Sequence, residues 1–300
     1  VVAELADAGC TVDLHRLDGP DQVHGLVGEL RANRVQRLIL AGGDGLVHLA
    51  LPALVEQRDG EREADRMVVG IVPLGTGNDF CRGLGLPTKR TQAVAAALSE
   101  TVTPVDVIAI DYPSRPATPT QMAATVVTCG FSGRVNARAN AMRFPSGGRR
   151  YTVATVAEMF DLQTGHYRLG FDDEPPTELD SLLVAVGNTP YFGGGMAVCP
   201  DASFRDGLLD VVLVADVATS TFARVLPRVF NGRHIEHDAV TVRRCRRLSI
   251  TTTEPLWADG EQLRSPTAGT GPHDPGGDTA VEAVVEALPG PLLVAGIPTQ

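Results

Sequence analysis

The stretch VVGIVPLGTGNDFCRGLGL, residues 68–86, decides how the chain is read. Val68–Val72 is a short apolar run, the pattern of a strand buried on both faces. Pro73 ends it. Gly75, Thr76, Gly77 and Asn78 then make a pliable turn, and Asn78–Gly85 begins a short helix. The same order occurs upstream: strand Val35–Ala41, turn Gly42-Gly43-Asp44-Gly45, helix Leu46–Gln57. Glycine lets backbone N–H groups approach a phosphate, and the following helix offers unpaired N–H groups and a positive dipole end. Two such units predict a parallel sheet with both turns at its carboxyl edge, where open α/β folds bind ligands.

Towards the start, Val1–Leu17 reads as a helix running into a strand at Thr11–Leu17. An α/β domain normally opens with a strand that such a helix follows, so the expectation is that a first strand precedes Val1. Thr91–Leu98 reads as a further helix. After Pro104 strands dominate: Val105–Asp111, Ala123–Cys129, Leu182–Gly187, Leu208–Ala215, Ala239–Arg244, Arg247–Thr253 and Thr279–Ala287. Two helices interrupt them, Tyr151–Leu162 and Thr221–Phe230, the second with Phe222, Val225, Leu226, Val229 and Phe230 on one face. Ser265–Asp278 reads as a surface loop. The expectation is an α/β nucleotide-binding domain over residues 1–104 and a mainly antiparallel β-sandwich domain over residues 105–300.

Composition narrows the partners. A net charge of −10 argues against nucleic-acid binding through a broad basic face. Five scattered cysteines without a CxxC predict free thiols in a reducing compartment rather than disulfides or a zinc site. With no apolar run long enough for a membrane span, a cytoplasmic protein touching a membrane at most peripherally is expected.

A carboxylate inside a phosphate turn is the unusual element. Asp44 would repel a nucleotide unless it serves a magnesium network or takes a proton from an acceptor hydroxyl. The sole lysine, Lys89, lies in neither turn, so no Walker A loop is present, and no GxGxxG follows a first strand. The protein-kinase motif set is also missing.

GGDGLVH (42–48) followed by PLGTGNDFCRGLGL (73–86) resembles the diacylglycerol kinase and sphingosine kinase superfamily of lipid kinases. The resemblance continues through Val105-Asp106-Val107, CGFSGRVN (129–136), GNTPYFGGGMAVCPDASFRDGLLDVV (187–212) and WADGEQL (257–263). It implies an ATP- and Mg²⁺-dependent kinase acting on a lipid hydroxyl, with diacylglycerol favoured. Gly43, Gly45, Gly75, Thr76, Gly77 and Asn78 match nucleotide-binding loops, joined by Gly260 and Glu261. Asp44 and Asp259 are both implied as the base. Asp106 and Asp206 match acidic positions of a magnesium network, with Asp210 as a neighbour. The chain departs from the pattern at Ser132, where the family's GFDA reads GFSG, and at Leu46 and Leu49. An NAD-kinase-like enzyme and a catalytically silent nucleotide- or lipid-binding protein are the alternatives.

Gly133–Tyr151 carries Arg134, Arg138, Arg143, Arg149 and Arg150, with Met142 and Phe144 among them. This segment is expected to touch anionic headgroups and line the lipid entrance. Arg243–Arg247 reads as a solvated hairpin edge, His48 as a helix-surface histidine, and Tyr191–Met196 as a structural glycine loop. A homodimer is a further expectation.

Overall fold

The computed structural model describes residues 1–56, 66–116, 118–142, 144, 149–264 and 280–298. The Ser265–Asp278 loop and Arg143 lie outside the described residues, as do the side chains of Arg149 and Thr152. In the first half, β1 (Arg37–Gly42) and β2 (Val68–Pro73) run parallel, with Leu40 opposite Ile71. On one face α2 (Asp21–Ala32) and α3 (Asp44–Val55) bury Val27, Val47 and Leu51 against Leu40, Val69 and Ile71. On the other, α1 (Val2–Asp7) and α5 (Arg90–Ala97) enclose Val72. Coverage on both sides explains why β2 is apolar along its length. Between β2 and α5, the five-residue α4 (Asp79–Gly83) starts directly at the turn.

The expected strand at Thr11–Leu17 does not form. Leu14 and Leu17 are exposed, and only Cys10 and Val12 pack on the helices, so no apolar face holds the segment to the sheet.

The second half is mainly antiparallel. β3 (Val102–Asp111) pairs with the hairpin partner β4 (Gln121–Ala123), and β5 (Val126–Gly130) follows two residues later. β5 runs into α6 (Phe131–Ala141), which packs on α7 (Arg149–Met159). Then β6 (Gly165–Phe171), β7 (Thr177–Gly187), β8 (Leu209–Ala215), β9 (Val240–Cys245) and β10 (Arg247–Thr252) pair antiparallel. Along β8, Val211 and Leu213 enter one core while Val212 and Val214 enter another, under α6 and α8 (Thr219–Val225). That period of two makes both faces of the strand apolar.

The helix predicted to Phe230 tightens into a 3₁₀ segment at Leu226–Asn231, beginning beside Pro227. The change of period turns Phe230 off the buried face, and its side chain is exposed.

A short hairpin, β11 (Trp257–Ala258) and β12 (Glu261–Gln262), carries Asp259-Gly260 at its tip. Finally β13 (Val281–Ala295) pairs first with β10 and β3, shifts register between Leu288 and Leu292, and ends parallel to β2 at Leu293 and Val294. The two halves therefore share one thirteen-stranded sheet system among the described residues. All five cysteines are free.

Candidate active site

The two glycine turns meet. A β-carbon on Gly75 would lie 2.7 Å from the Gly43 Cα, and one on Gly43 would lie 3.1 Å from the Gly75 Cα. Each position is small because of the other. Asn78 adopts a left-handed backbone, φ +53°, that Asn tolerates better than most residues. Its Oδ1 accepts from the Gly75 N–H at 3.0 Å and its Nδ2 donates to the Gly75 carbonyl at 2.9 Å. The Gly75 amide is thus engaged within the turn. Gly45 has open space beside it, and Thr76 is exposed.

Asp44 is the first residue of α3. Its Oδ1 accepts from the Phe80 N–H at 3.1 Å, tying the two turns together. Its Oδ2 faces Gly77, where a β-carbon would stand 3.1 Å away. Across Gly77 lies Asp79, which the sequence reading passed over. Buried Asp79 accepts from the N–H groups of Gly194 and Gly195, each at 2.7 Å, and clamps the Tyr191–Met196 loop onto the second turn. Burial pushes the Asp79 carboxyl up, and the charge of Asp44 adds to that, against the two amide bonds. The signal for Asp79 was a carboxylate ending one glycine turn with a run of three glycines downstream.

Asp259 arrives from the far half. Asp259 and Gly260 both have positive φ, as a two-residue hairpin turn requires. The Asp259 side chain is nonetheless only 2% exposed. Its Oδ1 accepts from the Thr125 N–H at 2.8 Å and the Thr125 hydroxyl at 2.6 Å. Its Oδ2 accepts from the Ala124 N–H at 2.8 Å and pairs with His48 Nδ1 at 3.0 Å. The break between β4 and β5, read from sequence as continuous strand, frees those two amides for Asp259. Burial alone would raise the Asp259 carboxyl, but His48 and the Thr125 and Ala124 donors hold it below its ordinary value. His48 is therefore no simple helix-surface residue. Burial would lower its imidazole, and the Asp259 hydrogen bond and charge, with Glu261, raise it instead. Glu261 itself is exposed on β12, and Gly260 lines the cavity mouth.

The implied magnesium network meets a different arrangement. The Asp106 oxygens accept from the Gly290 and Gly207 N–H groups, each at 2.8 Å, so this buried residue pins the β13 irregularity to the loop before β8. Arg244 takes the other two: its Nη2 pairs with Asp206, and its Nε with Asp210 at 3.3 Å. Arg244 had been read as part of a solvated edge. Each Asp106 oxygen keeps acceptor capacity beyond its one amide, whereas a divalent ion bound directly to Asp206 and Asp210 would compete with the Arg244 guanidinium. Among the described residues no group of three metal-ligating side chains forms.

From Asp44, Asp79 and Asp259 a cavity of about 630 Å³ runs into the second half. Its wall also includes Phe131, Val135, Leu183, Val214, Phe222 and Val229.

The chain is similar to known proteins over nearly its whole length. A family model described as the diacylglycerol kinase catalytic domain matches residues 1–110. A second, the YegS C-terminal NAD kinase beta sandwich-like domain, matches residues 125–291. A diacylglycerol kinase of Mycobacterium tuberculosis is 32% identical over 87% of this chain and 81% of its own length. The chain belongs to the diacylglycerol kinase-like lipid kinases. A protein of Xanthomonas euvesicatoria pv. vesicatoria named "Probable lipid kinase YegS-like" is 30% identical over 87% of this chain and 83% of its own. The crystal structure of a diacylglycerol kinase from Bacillus anthracis superposes with a TM-score of 0.69 at 22% identity, covering 99% of this chain and 89% of that one, and shares the fold.

As a lipid kinase the protein phosphorylates an alcohol group. The arginine segment looks different once folded. Arg134 pairs with Glu254 at 2.9 Å and approaches Glu158 at 3.9 Å, while Arg138 pairs with Glu158. Both guanidiniums are paired with carboxylates distant in sequence, Arg134 largely covered and Arg138 still exposed. Arg150 lines the cavity and stands 5.1 Å over the Tyr151 ring. Among the described residues no helix is long and apolar enough to cross a membrane.

Proposed function

We propose that this lipid kinase transfers the terminal phosphoryl group of ATP, brought as its magnesium complex, to the hydroxyl of diacylglycerol. The observation that carries this reading is the largely apolar cavity with Asp44 in its wall. The acceptor oxygen attacks the γ-phosphorus, the bond from that phosphorus to the bridging oxygen breaks, and ADP leaves. The hydroxyl proton passes to Asp44 Oδ2. Asp44 is chosen over Asp259 because an ionised carboxylate offers about four acceptor sites, and all four at Asp259 are occupied. Asp259 then acts by holding His48 and the 124–125 bend. Phosphoryl transfer is chiefly positioning and charge stabilisation, which suits two turns fixed against each other. A dinucleotide acceptor is disfavoured because the wall beyond Asp44 is mostly apolar.

The test is labelled ATP and Mg²⁺ with vesicles containing diacylglycerol or sphingosine, and with NAD in solution. Label in diacylglycerol, falling about 10³-fold in Asp44→Asn, is the expected result. Label in NAD, or in no acceptor, would overturn the reading.

The same helix that contributes Arg150, Tyr151 and Thr155 to the cavity exposes Val153 and Val156, and Phe160, 85% exposed, follows directly after its last residue. Val153 and Val156 share one face of α7, and Phe160 continues it past the helix end. We therefore assign membrane contact to this apolar stripe at the cavity rim. Replacing Val156 and Phe160 by Ser is expected to weaken vesicle flotation about tenfold; undiminished flotation would exclude it.

A further inference from the structure

The cavity wall is apolar over most of its depth, yet three polar side chains line it where β5 passes into α6. Thr128 lies on β5, and Ser132 and Asn136 stand one helical turn apart on α6. Thr128 is 1% exposed and Asn136 6%. Thr128 Oγ1, Ser132 Oγ and Asn136 Nδ2 are all buried without a hydrogen-bond partner in the protein. Buried hydroxyls and amides are almost always paired, because leaving one unpaired forfeits its hydration. Three such atoms on one cavity wall point to a polar group that enters the cavity.

Their chemistry limits that group. Asn136 Nδ2 can only donate, and the two hydroxyls can donate or accept, so an acceptor oxygen satisfies all three. The carboxylates lining the cavity, Asp44, Asp79 and Asp259, already accept protein donors. The arginine on the wall is Arg150, whose Nε is also buried without a partner. An ammonium group beside Thr128, Ser132 and Asn136 would meet donors and a guanidinium, with no carboxylate of its own. Ester oxygens followed by hydrocarbon match both the donors and the apolar wall beyond.

We propose that Thr128, Ser132 and Asn136 hydrogen-bond the ester oxygens of an uncharged glycerol ester whose hydroxyl lies at Asp44. They thereby select it over ether lipids and sphingoid bases. The assignment rests on the lipid-kinase reading of the site and names what that site recognises.

The single tryptophan supplies a readout independent of catalysis. Trp257 is buried beneath α6, where a β-carbon on Gly133 would lie 2.8 Å from its ring, next to Ser132. Its emission is titrated in the intact protein, without nucleotide, using detergent-dispersed dioleoylglycerol, the corresponding dialkyl ether and sphingosine. The diester is expected to bind at least about tenfold more tightly than the diether, with sphingosine weaker still. Thr128→Val and Asn136→Leu should each narrow the diester-to-diether ratio. Equal affinity for diester and diether, sphingosine as tight as the diester, or no saturable change with the diester would each overturn the proposal. A diester preference without label transfer from ATP would instead sink the kinase reading alone. Transfer to diester and diether with equal efficiency would sink the polar contact and spare the kinase.

Discussion

Asp44 borders a cavity with one oxygen left without a protein donor, whereas Asp106 has both oxygens on backbone amides, although both answer to the same kind of sequence signal. Asp106 gives its two oxygens to the Gly207 and Gly290 amides, and Arg244 spans Asp206 and Asp210. Asp44 has one oxygen on the Phe80 amide and the other turned to Gly77. An aspartate beside glycine in a sequence says only that a carboxylate stands near a turn. Whether it can take a proton depends on how many donors the folded chain brings to it.

That contrast can be broken most directly by paired substitutions. Asp44→Asn should lower kcat about 10³-fold, while Asp206→Asn should stay within about tenfold, since a group outside the reacting centre acts only through positioning. Equal losses would move chemistry into the group around Asp106. Next in size, Arg244→Gln leaves Asp210, 1% exposed, without its cation. The cost should be about 2 kcal/mol in a urea midpoint, reduced from a fully buried pair because Arg244 is partly exposed. Millimolar Mg²⁺ should restore stability to that variant and leave the parent unmoved. A parent equally stabilised by Mg²⁺ would mean that the ion, and not Arg244, closes the cluster.

The smallest effect concerns the side-chain pair that joins the two halves, His48 with Asp259. His48 titrates above its ordinary value in the fold, so its contribution is full below about pH 6.5 and is lost as pH rises through the raised value. Asp259 titrates below its ordinary value, so its contribution is present above about pH 4 and is lost as pH falls through the folded value. The pair is strongest between these limits. Denaturant midpoints should therefore fall between about pH 6 and about pH 8, and His48→Gln should flatten that slope. An unchanged slope would show that the pair does not couple to folding.

Much of this was legible beforehand. Strand–turn–helix units around Gly43 and Gly75 carry their own local signals, and so did the antiparallel run after Pro104. What escaped were features set by partners distant in sequence. Asp79 matters because Gly194 and Gly195 reach it, and His48 because Asp259 does. Arg134 and Arg138, expected at anionic headgroups, have Glu158 and Glu254 as partners, and nothing near them in sequence signals those carboxylates. β6, Gly165–Phe171, was missed because two glycines and a histidine mask its alternation. The far end of β13 was missed because Pro289-Gly290-Pro291 reads as a turn, and the structure uses it as a register shift inside one strand.

That shift has a consequence for how the protein is made. Leu293 and Val294 complete the ladder beside β2, and Leu292, Val294 and Ile297 fill the core under α3. A ribosome moving at about 5–20 residues per second needs on the order of ten to forty seconds to go from β3 to the end of β13. Throughout that interval β2 stands with one edge bare and its hydrophobic neighbours uncovered. The first half is thus born early and finished late, and the pause between is when a nascent chain is most open to a chaperone or to pairing with another copy of itself.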